Sequence, residues 1–276
     1  LTMKTPIGDD GFSDVLDGQN TTFNVSAVAD PAGSAVDLVV VDSTGYEVPV
    51  TVTSGGTRQV TVYLGTDGAD SASLSVTDGR VGLVYGFLGN DNLIGNSGAD
   101  YMYGGDGADT LIGAGGIDVL QGGLGNDLFI YTSADQDQAT ETIDGNGAVL
   151  SPANDEIDTI RLDAAGDYNF STFQRIKNID ALALNSNGNY NITLGNVMNS
   201  TADANADGTK GDLEIANVFN GTFAGSVVLN ASGLNSNRSV NVSATNFDGN
   251  DTMTGGAGND TLRGGGGNDS LVGGLG

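Results

Sequence analysis

Residues 86–130 read GFLGNDNLI-GNSGADYMY-GGDGADTLI-GAGGIDVLQ-GGLGNDLFI, five consecutive units of nine residues. Each unit has Gly at its fourth position, Asp at its sixth and a large apolar residue at its eighth. Three further units in the same register, NFDGNDTMT, GGAGNDTLR and GGGGNDSLV, occupy residues 246–272. A short fixed period of this kind is typical of a solenoid made of stacked strands and turns.

Within a unit, the first six residues favour a turn and the last three a short strand. Glycine adopts positive φ at little steric cost and lets the backbone approach an ion closely. The eighth positions are predicted to face a thin core between two sheets; they are Leu93, Met102, Leu111, Leu120, Phe129, Met253, Leu262 and Leu271. We therefore predict an all-β fold.

The composition limits the chemistry and the partners. The chain has 276 residues, 45 Gly, no Cys, no His and a formal net charge of −26. A bound metal should therefore be a hard cation held by oxygen atoms. Such an acidic surface repels nucleic acid, and no apolar stretch reaches the roughly 20 residues that a membrane helix needs.

The repeats resemble those of the RTX family, the glycine- and aspartate-rich repeats of secreted bacterial proteins. This resemblance implies a parallel β-roll or β-solenoid in which two units form one coil and Ca²⁺ lies between stacked turns. It places Asp91, Asp109 and Asp127 on one edge of the roll and Asp100 and Asp118 on the other. The calcium-binding residues that it implies are Asp91, Asp100, Asp109, Asp118, Asp127, Asp251, Asp260, Asp269, Gly89, Gly107, Gly125, Gly258 and Gly267.

In the second block, the same resemblance stacks Asp251 on Asp269 and leaves Asp260 to a partner beyond Gly276. A metal-free, turn-rich solenoid is the alternative to a calcium roll. It explains the glycines and the apolar positions, but it does not explain an Asp in every turn, where stacked carboxylates repel one another.

Three other acidic segments are weaker candidates. The segment DANADGTKGDLE has the spacing of an EF-hand loop, with Asp203, Asn205, Asp207 and Glu214 as ligands. Lys210 at the usually apolar eighth position and strand-like flanks favour an acidic hairpin tip instead. Asp155 and Asp158 either extend metal binding or are solvated acids on a strand edge, and Asp70 belongs to a decayed repeat.

The sequence suggests four regions. Residues 1–64 are predicted to form a β-sandwich or a further solenoid section, 65–144 the first roll, 145–245 a solenoid spacer and 246–276 a second roll. Similar spacers occur in crystalline surface-layer proteins with RTX repeats. The chain starts without Met and stops inside a repeat, so we expect both ends to continue in a longer polypeptide.

Three classes of function fit these features. The leading interpretation is a secreted, calcium-dependent structural protein of the bacterial cell surface, such as a surface-layer subunit. Its partners would be other copies of itself and, as a further candidate, a surface polysaccharide. The alternatives are an RTX adhesin stalk and the calcium-binding part of a secreted enzyme. We expect no enzymatic activity, because an H-E-x-x-H zinc site needs His and no G-x-S-x-G motif is present.

Overall fold

The computed structural model describes residues 23–25, 36–41, 47–52, 60–74, 81–132, 141–145, 156–170, 176–195, 212–218, 220, 223–236, 238–243 and 247–276. These residues form strands and no helix, so they contain none that could span a membrane. The strands form three large sheets and one antiparallel pair.

The sheets are built as follows. In its order across the sheet, the first sheet contains β1 (Phe23–Val25), β4 (Val60–Leu64), β6 (Val81–Leu88), β8 (Tyr101–Asp106), β10 (Val119–Leu124), β12 (Thr142–Asp144) and β15 (Ile176–Lys177). The second contains β20 (Ser239–Val242), β18 (Asp212–Asn217), β16 (Ala181–Leu184), β13 (Thr159–Leu162), β11 (Leu128–Tyr131), β9 (Thr110–Ile112), β7 (Asn92–Ile94) and β5 (Ser71–Ser73). The third contains β14 (Gly166–Phe170), β17 (Tyr190–Gly195), β19 (Val227–Gly233), β21 (Thr252–Thr254) and β22 (Ser270–Val272).

In the first repeat block, each coil contributes one strand to the first sheet and one to the second. Leu120 pairs with Met102, and Leu111 pairs with Leu93, in parallel register. Both pairs are separated by two nine-residue units. The predicted all-β parallel roll is therefore confirmed.

The third sheet begins where the first repeat block has ended. After β13 the chain forms β14, which starts this sheet, before returning to the first sheet at β15. The second sheet meanwhile continues past β13 through β16, β18 and β20, and Asn241 then bridges to Thr261 in the second repeat block. One sheet thus connects both blocks.

At the other end of the stack, β4 pairs in parallel with β6 and so extends the repeat coils by one strand. β1 lies antiparallel to β4, which ends the parallel pairing on that side. The remaining pair is antiparallel and consists of β2 (Val36–Val41) and β3 (Glu47–Val52).

A continuous apolar core runs from Ala72 to Met253. Most of the predicted eighth-position residues are buried in it, and Leu262 packs against it. Leu271 was predicted to be inside, but this was wrong: it is 44% exposed. It lies in β22, the outermost strand of the third sheet, so no further strand covers it.

The spacer core is aromatic. Five aromatic rings form a continuous series from the end of the first repeat block to the start of the second, with centroid separations of 6.4, 6.2, 5.9 and 5.1 Å. In order, they belong to Tyr131, Tyr168, Tyr190, Phe223 and Phe247. Ring pairs at these distances are favourable beyond the area they bury. The spacer therefore has more large side chains in its interior than the repeats, whose eighth positions carry Leu or Met apart from Phe129.

Candidate metal centre

Each sixth-position aspartate of the first repeat block immediately precedes a strand and is stacked on an acidic residue in the next coil. The backbone N–H of Asp91 donates to Oδ1 of Asp109 at 2.8 Å, and that of Asp109 donates to Oδ1 of Asp127 at 2.9 Å. On the other edge, the N–H of Asp100 donates to Oδ1 of Asp118 at 2.8 Å. One carboxylate oxygen of each aspartate thus caps the strand of the neighbouring coil.

These contacts arrange the acidic residues in three columns. The long column precedes the strands of the second sheet and consists of Asp70, Asp91, Asp109, Asp127, Asp158 and Asp180. The short column precedes the strands of the first sheet and consists of Asp100, Asp118 and Glu141. The terminal column precedes the strands of the third sheet and consists of Asp251 and Asp269.

The second carboxylate oxygen has a different environment. The Oδ2 atoms without a hydrogen-bond partner are buried and belong to Asp91, Asp109, Asp118, Asp127 and Asp251. Residues 81–132 contain six Asp and no Lys or Arg. Buried carboxylates without a positive partner are strongly unfavourable, so these oxygens require a cation or a proton.

The glycine at the first position of most units lets oxygen atoms of two coils approach the backbone closely. A Cβ placed on Gly86 would lie 2.0 Å from Oδ2 of Asp91 and 2.3 Å from the carbonyl oxygen of Gly104. A Cβ placed on Gly104 would lie 2.2 Å from Oδ2 of Asp109 and 2.6 Å from the carbonyl oxygen of Gly122. At both glycines, two oxygen atoms from adjacent coils therefore lie close to the Cα and to each other, in an arrangement that a side chain at this position would disrupt.

The predicted fourth-position glycines shape the turns. Gly89, Gly107, Gly125 and Gly267 have φ of +112°, +143°, +121° and +111°, in the left-handed region that favours glycine. A Cβ on Gly107 would also meet the carbonyl oxygen of Gly89 at 1.8 Å. Gly258 has no left-handed φ, but a Cβ there would meet the carbonyl oxygen of Arg238 at 2.0 Å.

Burial changes the pKa values of the aspartates in these columns. It raises the pKa of Asp127 to about 9 and that of Asp118 to about 8. It also raises the pKa of Asp100 and Asp109 to about 6, and that of Asp91 and Asp251 above the usual range for a carboxyl. Neighbouring carboxylates add to the effect at Asp109, Asp118 and Asp127. Without a cation, Asp118 and Asp127 would therefore keep their protons near neutral pH.

The donor set fits calcium. Within the described ranges, no three acidic side chains gather closely enough to hold an ion by themselves. Backbone carbonyl oxygens must therefore supply most of the ligands, which suits Ca²⁺, since it accepts six to eight oxygens of mixed type. Bound there, calcium would neutralise the unpartnered Oδ2 atoms and link adjacent coils.

The second block is more open. Asp251 is buried, Asp260 is half-buried and Asp269 is exposed. Asp260 accepts hydrogen bonds from the N–H groups of Val240 and Gly256, both at 2.8 Å. It therefore already has a neighbour in the preceding coil, at the edge of the second sheet, in addition to any partner beyond Gly276.

The weaker candidates differ in whether the structure describes them and in what they contact. Asp203, Asn205, Asp207 and Asp155 lie outside the described residues. Glu214 lies within β18, where its N–H donates to the carbonyl oxygen of Asp180.

Asp70 continues the long column, because its N–H donates to Oδ1 of Asp91 at 2.8 Å. Its Oδ2 accepts hydrogen bonds from N and Oγ1 of Thr66 at 2.5 and 3.0 Å. The protein itself therefore satisfies this oxygen, unlike the Oδ2 atoms of Asp91, Asp109 and Asp127 in the same column.

Sequence reasoning missed two members of the columns. Asp180 precedes the strand ALAL, and Glu141 precedes the strand TID. An acidic residue directly before a short apolar strand was the available signal, but neither lies in the nine-residue register. Glu141 accepts a hydrogen bond from the hydroxyl of buried Tyr131, so a phenol proton contacts the carboxylate at this end of the short column.

The comparisons with known proteins agree with the repeat pattern. The RTX calcium-binding nonapeptide repeat family matches residues 85–120, 103–137 and 245–276. No curated protein and no solved structure matches the chain. The match covers the coils that carry the unpartnered Oδ2 atoms, and it leaves most of the spacer outside.

Proposed function

We propose that this chain, which contains RTX calcium-binding nonapeptide repeats, is a secreted structural component of a bacterial cell surface that folds and assembles with calcium. RTX repeat proteins are typically secreted. Calcium-rich surroundings outside the cell would then supply the ion that the columns need.

The unpartnered Oδ2 atoms of the long column carry this proposal. They are buried, stacked at intervals of one coil and surrounded by residues without a basic side chain. Filling the column with calcium would convert mutual repulsion into links between coils. Folding of the repeats and calcium binding should therefore be coupled.

The architecture supports a structural role. The described coils share one core, and one sheet passes from the first repeat block through the spacer to the second. Such a stack is suited to hold a fixed length and to present repeated surfaces. The charge of −26 would keep copies apart, and divalent ions would reduce that repulsion.

The coupling is tested by replacing Asp109 with Asn and titrating the metal-free chain with calcium. Asp109 has stacked neighbours on both sides, Asp91 and Asp127, so its loss should weaken two sites. We expect at least about a tenfold loss of affinity, equivalent to roughly 1.4 kcal/mol, by calorimetry, and a smaller gain of β-signal by circular dichroism.

Asp106→Asn is the matched control, because Asp106 is an exposed aspartate of the same coil. It should bind calcium as the unaltered chain does. Equal losses in both variants, or a β-signal from the repeats that chelation leaves unchanged, would contradict calcium-coupled folding.

The surface role is tested on cells that produce the protein. A calcium chelator should release it from the cell surface, and restored calcium should allow it to reassemble. If the chain stays attached without calcium, or remains a free monomer in calcium, the structural proposal is wrong and a part of a secreted enzyme becomes the better explanation.

A further inference from the structure

The first repeat block loses its register after Asp127. Two units further on, position 145 is Gly rather than Asp, and the family match has ended at residue 137. The next acidic residue of the long column is Asp158, which lies 31 residues after Asp127. Spacing alone therefore does not identify Asp158 as part of the repeat.

In space, however, Asp158 occupies the place of the next repeat aspartate. The N–H of Asp127 donates to Oδ1 of Asp158 at 2.8 Å, as the N–H of Asp109 donates to Oδ1 of Asp127 at 2.9 Å. Asp158 is 3% exposed and directly precedes β13, as Asp127 precedes β11. The additional residues between the two aspartates leave the stacking unchanged.

The site between these two coils also has a second, independent feature that favours cation binding. Oδ2 of Asp127 is buried without a hydrogen-bond partner. A Cβ on Gly122 would lie 2.0 Å from this atom and 2.7 Å from the carbonyl oxygen of Gly145. The second oxygen therefore comes from a residue outside the matched repeats, in the coil that carries Asp158.

The same arrangement recurs at Gly145 itself. A Cβ there would lie 2.2 Å from Oδ2 of Asp158 and 2.3 Å from the carbonyl oxygen of Asn178. These distances match those at Gly86 in the first repeat, which are 2.0 and 2.3 Å. The coil of Gly145 and Asp158 thus has the oxygen geometry of a repeat coil without the repeat sequence.

The basic side chains that the structure describes in these coils are engaged elsewhere. The guanidinium of Arg161 pairs with Asp163 at 2.6 Å, and Lys177 lies 3.9 Å from Asp144 at the surface. One coil further along, buried Arg238 donates to the carbonyl oxygen of Ile179, next to Asp180. A cation of the protein therefore lies near Asp180, whereas none of these contacts reaches Asp127 or Asp158.

We propose that Asp158 is a calcium ligand, and that it completes a site with Oδ2 of Asp127 and the carbonyl oxygen of Gly145 beyond the last matched repeat. This inference rests on the proposed calcium binding by the repeats. It extends the calcium column into the spacer, so that an ion joins the repeat roll to the sheet that continues through the molecule.

A crystal of the unaltered chain grown in calcium tests the site directly. Long-wavelength anomalous scattering should show a calcium peak bonded to Asp127, Gly145 and Asp158. Peaks between the repeat coils with no peak at Asp158 would overturn this inference while leaving the proposed function intact. No peak at any repeat would instead overturn the proposed function.

The number of ions bound in solution provides a second readout. Asp158→Asn should bind at least one calcium ion fewer per chain than the unaltered protein, by calorimetry or equilibrium dialysis. Asp167→Asn, a change at an exposed aspartate of β14, should bind the full number. An unchanged count for Asp158→Asn, with a reduced count for Asp109→Asn, would show that Asp158 is not a ligand.

Discussion

At the first position of most repeats, glycine lacks the side chain that would clash with oxygen atoms of two coils. The aspartate supplies charge, but a methyl group on Gly104 would come within 2.2 Å of Oδ2 of Asp109. The same methyl group would also lie 2.6 Å from the carbonyl oxygen of Gly122. Because this oxygen belongs to the backbone, no side-chain rotation can relieve that clash. The glycine is therefore as necessary to the site as the aspartate.

Replacing Gly104 with Ala should consequently lower both calcium affinity and stability. In saturating calcium, we expect the free energy of unfolding to fall by more than about 2 kcal/mol, the range of severe packing conflicts. Gly115→Ala is the control, because its Cβ would have Ser97 Cα as nearest neighbour, at 3.7 Å. That variant should stay within about 0.5 kcal/mol of the unaltered chain. Similar melting curves for both variants would contradict this account.

The buried carboxyls should also give the metal-free chain an unusual dependence on pH. Their pKa in the folded state reaches about 9 at Asp127 and about 8 at Asp118 and Asp158, whereas unfolded Asp titrates near 3.9. Between about pH 4 and pH 9, the folded chain binds more protons than the unfolded one, so stability falls as pH rises.

We therefore expect the melting temperature in metal-free buffer to decrease steadily from pH 4.5 to pH 8.5. In saturating calcium the trend should reverse at the acidic end, because protons compete with the ion for the same oxygens. Asp127→Asn should flatten the metal-free slope. A metal-free melting temperature that rises with pH would show that these carboxyls are not enclosed as described.

At the scale of strands and coils, the nine-residue period predicted stacked turns and short strands, and the resemblance to RTX repeats implied two units per coil and the pairing of residues two units apart. The period could not predict the third sheet, because β14 lies in a segment without the period. The period also could not place Asp158 and Asp180 in the long column, because they follow the preceding aspartate by 31 and 22 residues. The structure nevertheless stacks both of them as it stacks the repeat aspartates. Phe87 and Ala114 have φ of +80° and +72° at positions where other repeats place glycine, so the turn geometry is retained even where the residue type departs from it.

The contrast between repeat and spacer cores leads to a prediction about local stability. The spacer strands β16, β17 and β19 enclose Leu182, Ile192 and Leu229 beside the aromatic stack. Of these three spacer strands only β16 follows a column residue, Asp180, whereas β7, β9 and β11 each follow an aspartate with a buried, unpartnered Oδ2. In chelator, amides of the spacer strands should exchange with deuterium at least about tenfold more slowly than those of the repeat strands.

Calcium should slow exchange in the repeat strands and change the spacer little. Exchange measured with magnesium in place of calcium is the control, since Mg²⁺ demands a tighter octahedral shell. Uniform exchange across the chain without calcium would mean that the repeats do not depend on the ion.

For the whole molecule, charge is the dominant long-range quantity. The chain has 35 acidic and 9 basic residues, so without divalent ions its parts repel one another at low salt. Calcium should reduce the hydrodynamic radius in sedimentation or small-angle scattering well below its value in sodium chloride of equal ionic strength. Equal radii in the two salts would show that general screening, rather than site binding, compacts the chain.

The continuous second sheet has a mechanical consequence. Its strands lie side by side, so the hydrogen bonds between coils point along the stack. A tension applied along that direction would part the coils one after another, as a zipper opens, rather than shear many bonds at once. Ions held between successive turns would lie in parallel with those bonds and share the force. Extracellular calcium would then set how far the molecule stretches before it yields, and the boundary at Asp158 would decide whether the repeats and the spacer yield together.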